Sequence, residues 1–107
     1  MGATKEHIHT ETANEIAELA KVLAHPARVA ILQYISKQDS CICNDLVDEI
    51  GLSQPTISQH LKVINEARLL KGTFHGKSIC YCIDIDRFQE LQEKFNSFFN
   101  KTKINCC

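Results

Sequence analysis

Leu52-Ser53-Gln54-Pro55-Thr56-Ile57-Ser58-Gln59-His60-Leu61-Lys62 reads as the opening of a helix with a polar outer face. Ser53 is a good N-cap, and Pro55 falls in the first turn, where its missing N–H leaves no helical bond unmade. Ile57, Leu61 and Ile64 lie on one stripe, the inward face of a 3.6-residue period. Gln54, Thr56, Ser58, Gln59, His60 and Lys62 cover the rest. Just upstream, a short helix over residues 43–50 turns Leu46, Val47 and Ile50 inward and stops at Gly51. A short helix, a glycine-containing turn and a polar-faced second helix make a helix-turn-helix.

Downstream the period changes to two. Leu69-Leu70-Lys71-Gly72-Thr73-Phe74 is a strand candidate and His75-Gly76-Lys77 is turn-like. In the returning strand, Ile79, Tyr81 and Ile83 share one face while Cys80 and Cys82 share the other. Asp86 caps a last helix, along which Phe88, Leu91, Phe95 and Phe98 form a narrow apolar seam. Upstream, Thr12 with Glu15 fits a capping box before a helix with Ile16, Leu19, Ala20 and Leu23 on one face. His25-Pro26 closes that helix and opens the next, whose apolar set is Val29, Ile31, Leu32 and Ile35. The expected fold is mainly α with a small β-hairpin: four helices, two strands, then a fifth helix. That order is a winged helix-turn-helix. Residues 1–11 read as an N-terminal arm, 12–100 as the domain, and 101–107 as a tail with vicinal cysteines.

Composition supports one globular domain: hydrophobic residues are 44% and charged residues 23%, close to ordinary usage. No run approaches the ~20 apolar residues of a membrane helix, and the first residues lack the apolar core of a secretory signal. A cytoplasmic protein with no membrane partner is expected. Net charge is −1, but its distribution is uneven. Residues 1–52 sum to −4, residues 53–78 to +3, and residues 79–107 to zero. The basic stretch coincides with the polar-faced helix and the hairpin, as an electrostatic footprint for nucleic acid would.

The chemistry of that face suits double-stranded DNA. A recognition helix presents its N-terminal residues to base edges in the major groove. Gln pairs adenine in two places, and Ser and Thr bond bases or phosphates without charge. The expected DNA-contacting residues are Gln54, Thr56, Ser58, Gln59, His60 and Lys62, with Lys71, His75 and Lys77 of the hairpin on the backbone. A phosphate-loop reading of Gly72 to Ser78 fails, because that loop needs four residues between its glycines and a helix after the Lys. No Ser/His/Asp set or carboxylate pair is readable, so no enzyme is expected.

Six cysteines form three close pairs: Cys41 and Cys43, Cys80 and Cys82, Cys106 and Cys107. Without a secretory signal, paired thiols point to soft-ion or redox chemistry rather than a disulfide scaffold. Cys41-Ile42-Cys43 at a helix start would favour the thiolate form that binds metal. Cys41 and Cys43 are the expected ligands, with Cys106 and Cys107 as candidates to complete the site. Cys80 and Cys82 read as packing residues of the hairpin. The expected effector is a thiophilic ion such as As(III), Cd(II) or Zn(II). The alternatives are a redox or persulfide switch on the same fold, or a winged-helix protein with no effector. The seam of the last helix and the apolar stripe of the first suggest a homodimer interface at Ile16, Leu19, Leu91, Phe95 and Phe98, and a two-fold dimer matches a palindromic operator.

The chain resembles the ArsR/SmtB family of winged-helix metalloregulatory repressors. The residues that carry the resemblance are Leu23-Ala24-His25-Pro26-Ala27-Arg28, Ile31-Leu32, Cys41-Ile42-Cys43 with Asp45-Leu46, the stretch from Leu52 to Leu61, and Arg68-Leu69-Leu70. The match runs over residues 12–100. It implies a dimer that occupies its operator when unliganded and leaves it when an ion binds or a thiol is modified. Two departures stand out. Asn44 separates Cys43 from Asp45-Leu46, where the arsenite and cadmium sensors place Asp directly after the second Cys. Residue 47 is Val, where the arsenite type often has a third Cys. The zinc type uses Asp, His and Glu between its two last helices, and residues 86–99 contain no His.

Overall fold

In a computed structural model of the chain, which describes residues 10–43, 46–73 and 80–101, the first helix begins at Thr10. Thr10 is extended, and its hydroxyl accepts from the Ala13 N–H at 3.1 Å, so α1 spans Glu11–Leu23. The cap expected at Thr12 thus lies two residues earlier. Next comes α2, Pro26–Ser36, with Pro26 at its first position and His25 as its N-cap. The His25 imidazole Nδ1 accepts from the Ala27 N–H at 3.2 Å. Arg28 reaches back and donates to the carbonyls of Val22 and Lys21 at 2.8 and 2.9 Å. His25-Pro26-x-Arg28 is therefore a structural device: one end opens α2 while the other satisfies carbonyls at the end of α1.

The remaining elements are β1 (Ile42–Cys43), α3 (Leu46–Ile50), α4 (Gln54–Glu66), β2 (Leu70–Thr73), β3 (Cys80–Ile83) and α5 (Ile85–Asn100). The winged helix-turn-helix is as expected, with one addition: the wing has a third strand. The sheet order is β1-β3-β2, and both pairings are antiparallel. Residue 43, expected to open the short helix, pairs instead with β3 together with residue 42, Ile42 opposite Tyr81 and Cys43 opposite Cys80. The reason is burial: Ile42 and Tyr81 are both sunk in the core, Tyr81 at 2% exposure. Five-residue α3 begins at Leu46, so the C-x-C motif precedes it rather than sitting in its first turn.

Gly51 takes φ +80° after α3, as a helix stop requires. Arg68, at φ 62°, turns the chain out of α4. Asp84, not Asp86, caps α5; its carboxylate accepts from the Arg87 N–H at 3.1 Å. One core joins every layer, with Leu19, Val22, Ile31, Leu32, Leu46, Ile57, Ile64, Leu69 and Leu91 all buried. Glu15 of α1 pairs with Lys94 and Arg87 of α5, and the Lys94 hydrogen bond first, then the two cations, hold the Glu15 carboxyl below its ordinary range. Arg87 also donates to the Ala67 carbonyl at 3.3 Å, fixing α5 against the end of α4.

Candidate nucleic-acid interface and thiol cluster

The first half of α4 presents the expected polar face. Gln54, Thr56, Ser58, Gln59 and Lys62 are exposed. Two contacts order it: Ser53 and Thr56 share a hydroxyl hydrogen bond at 3.0 Å, and the Gln54 amide donates to the Ser58 hydroxyl at 3.1 Å. Ser53 occupies the N-cap position but spends its side chain on Thr56 rather than on a backbone N–H. The amides at this helix start are therefore open to an anion. Neutral donors and acceptors lead, and Lys62 follows one turn later.

His60 departs from the expectation. It is only 9% exposed and packs its ring against His25, with centroids 4.5 Å apart. Burial first, then the neighbouring His25 and Arg28, pushes its pKa below the usual imidazole value. The residue expected on the DNA face packs instead between α4 and the start of α2. Ile57, His60 and Ile64 are the buried positions of α4, an i, i+3, i+7 row. The helical period could have placed His60 there had a polar residue been admitted to the stripe. Lys71 is exposed on β2, whereas His75 and Lys77 lie outside the described residues.

The expected dimer residues differ in exposure. Leu19 and Leu91, at 8% and 3% exposure, are buried in the single chain and line the cavity between α1, α2 and α5. Ile16 and Phe95 are half-buried. Phe98 is 53% exposed and, with Phe99, leaves an apolar surface at the end of α5. An apolar cavity of about 310 Å³ opens between α1, α2 and α5, lined by residues that include Leu23, Val29, Phe88 and Phe95.

The cysteines fall into an arrangement that spacing along the chain does not reveal. The β1–β3 register puts Cys43 opposite Cys80, so the antiparallel ladder continued by one step sets Cys41 beside Cys82. Cys41 and Cys82 are free thiols, one exposed and the other half-buried. Contact with the Cys41 thiol, together with burial, pushes the Cys82 thiol pKa up, and Lys71 partly offsets this. Lys71 is the β2 residue opposite Cys82. Cys80 is disulfide-bonded. Cys106 and Cys107 lie outside the described residues. Among the described residues no group of three or more His, Cys, Asp or Glu side chains is placed to hold a metal ion. The donor set that the described residues offer is a pair of sulfurs.

Comparison with known proteins gives this geometry a family. The profile described as "Bacterial regulatory protein, arsR family" matches residues 25–71. The biofilm growth-associated repressor of Xylella fastidiosa is 33% identical over 100 residues, covering 90% of this chain and 87% of that protein. The chain belongs to the ArsR/SmtB family of winged-helix transcriptional regulators. That is a family of regulators, not of enzymes. The HTH-type transcriptional repressor SmtB of Mycobacterium tuberculosis is 34% identical over 71 residues, 66% of this chain. The match spans about half of SmtB's own length, 52%. NolR from Sinorhizobium fredii has the same fold, with a TM-score of 0.66 over 95% of this chain and 100% of that one, at 23% identity. Among the described residues no helix is long and apolar enough to cross a membrane.

Proposed function

We propose that this ArsR/SmtB-family chain is a repressor that binds operator DNA as a homodimer and is released by a thiophilic ion held on cysteine thiolates. The observation that carries the DNA-binding half is the exposed row Gln54, Thr56, Ser58, Gln59 and Lys62 at the start of α4. These residues suit base edges and phosphates, and the helix start adds open amides. Names borne by relatives, repressor SmtB and biofilm growth-associated repressor, support repression. The exposed apolar pair Phe98 and Phe99 supports a second copy across the end of α5.

The effector half rests on the C-x-C motif. Cys41 is an exposed free thiol, and Cys43 lies on the strand that leads into α3 and then into α4. Sulfur ligands select soft ions such as As(III), Cd(II) and Zn(II), and Cys106 and Cys107 are the candidates for a third sulfur. A thiol-redox switch is the second reading, and the disulfide at Cys80 is the observation in its favour.

The test is fluorescence anisotropy on a duplex selected by the protein from a random pool, with reduced protein titrated with arsenite, Cd(II) and Zn(II). Binding should fall steeply with salt, by about 0.9 in log–log slope per phosphate contacted. At least one ion should release the DNA from reduced protein. If no ion releases it while mild oxidation does, the redox reading replaces the ion-sensing one. If no duplex is selected, the repressor reading is refuted.

A further inference from the structure

The geometry points to Cys41 and Cys82, one from each C-x-C motif, as a cross-strand dithiol that chelates a trivalent arsenical. This inference rests on the thiophilic-effector reading above and names Cys82, a hairpin residue, as the partner of Cys41 in place of Cys43.

Strand geometry separates the two options. Along one strand, residues i and i+2 share a face but stand two rises apart, roughly 6.5–7 Å. Directly opposed residues on antiparallel strands have Cα atoms only about 4.5–5.5 Å apart. Cys41 and Cys43 are related in the first way. Cys41 and Cys82 are related in the second, one step along the ladder from the Cys43–Cys80 pair. The two thiols of the cross-strand pair are also both free and in contact. Cys80 is already spent in a disulfide.

The surroundings add shape. Cys41 and Cys82 line a pocket of about 390 Å³ between the end of α2, the wing and the start of α5. Ile35, Ile83, Ile85 and Phe88 give it an apolar wall, while Asp39 and Lys71 stand on its lining. A pyramidal As(III) centre holds two sulfurs at close to a right angle, which suits thiols already touching. A linear two-coordinate ion would have to spread them. With two thiols present, a monosubstituted arsenical has the matching valence. R–As(OH)₂ exchanges both hydroxyls, two As–S bonds form, two As–O bonds break, and the two thiol protons leave in two waters. Arsenic stays trivalent throughout, and its organic group has the apolar wall to lie against.

The same bond pair would tie β1 to β3. Because β1 runs into α3 and α4, the chelate sets the helix-turn-helix against the wing.

The test uses phenylarsonous acid on the full chain carrying Cys106→Ser and Cys107→Ser, which removes the tail thiols. Native mass spectrometry should show one phenylarsenic per chain with loss of two waters, and anisotropy should show release of the selected duplex. Adding Cys43→Ser with Cys80→Ser should leave both signals intact. Adding Cys82→Ser alone, or Cys41→Ser alone, should weaken binding by about 100-fold or more, as loss of the second tether does. Loss of binding in the Cys43/Cys80 variant with retention in Cys82→Ser would overturn the cross-strand site and leave the C-x-C reading of the effector standing. Adduct formation that needs Cys41 and Cys82 but never releases DNA would keep the site and refute the regulatory role. Retention in every variant overturns both.

Discussion

Among the described residues two glycines, Gly51 and Gly72, have left-handed or glycine-specific backbone, and the structure predicts very different costs for the same substitution. Gly51, at φ +80°, has nothing within 4 Å of the place a Cβ would occupy. Gly51→Ala therefore meets only the intrinsic left-handed penalty, about 1–2 kcal/mol. Gly72, at φ +142°, faces the backbone of β3: a Cβ would stand 2.1 Å from the Cys80 carbonyl oxygen and 2.7 Å from the Tyr81 Cα. Those are backbone atoms, so no flexible side chain can yield. Backbone strain of about 1–3 kcal/mol and overpacking of a similar size add to about 2–6 kcal/mol for Gly72→Ala. Total stabilities run at about 5–15 kcal/mol, so the domain should still fold while its wing opens. Urea denaturation measures the difference, and amide exchange locates it, with faster exchange expected in Leu70–Thr73 and Cys80–Ile83 but not in α1 or α2. If Gly72→Ala is no less stable than Gly51→Ala, the close β2–β3 approach is wrong, and with it the register that sets Lys71 opposite Cys82.

Gln54→Ala or Gln59→Ala should each cost about 1–3 kcal/mol on the preferred duplex and relax sequence choice; unchanged preference in a competition binding assay would remove α4 as the reading helix. Phe98→Ala should weaken dimerisation in sedimentation with little change in melting temperature, because Phe98 is 53% exposed in the single chain; a large fall in melting temperature with an unchanged dimer refutes that interface. Burial, then His25 and Arg28, lower the His60 pKa. Its folded pKa lies below the unfolded one, so the unfolded chain takes up a proton first. Stability should therefore be unaffected by this group at high pH and fall as pH drops below about 6.5. His60→Gln should remove that part of the pH slope between pH 7.5 and 5.5, and an unaltered slope in denaturation titrations would show that the imidazole is solvated.

Local signals along the chain place the helices better than the sheet, and the reason is range. Pro26, Gly51 and the apolar period of α4 each act within a turn or two, and each lies where its local rule places it. Asp84 and Thr10 displaced Asp86 and Thr12 as caps because each rival pair offers a capping residue two positions away, and only packing chooses between them. β1 is different in kind. Two residues of strand carry too little alternation to be read alone, and their partners Cys80 and Tyr81 lie far along the chain. A signal was nevertheless present. Cys41-Ile42-Cys43 and Cys80-Tyr81-Cys82 share one pattern, an apolar residue flanked by two cysteines. With both apolar centres in the core, the antiparallel register carried one step past Ile42 and Tyr81 sets Cys41 beside Cys82. A helix start for the first motif would favour its thiolates through the helix dipole; the strand makes Cys41 a neighbour of Cys82 instead. The chemistry consequently moves from two adjacent positions in sequence to two adjacent positions in space. Cys82, which spacing alone assigns to packing, becomes the residue whose replacement most directly separates chelation across the sheet from chelation along the strand.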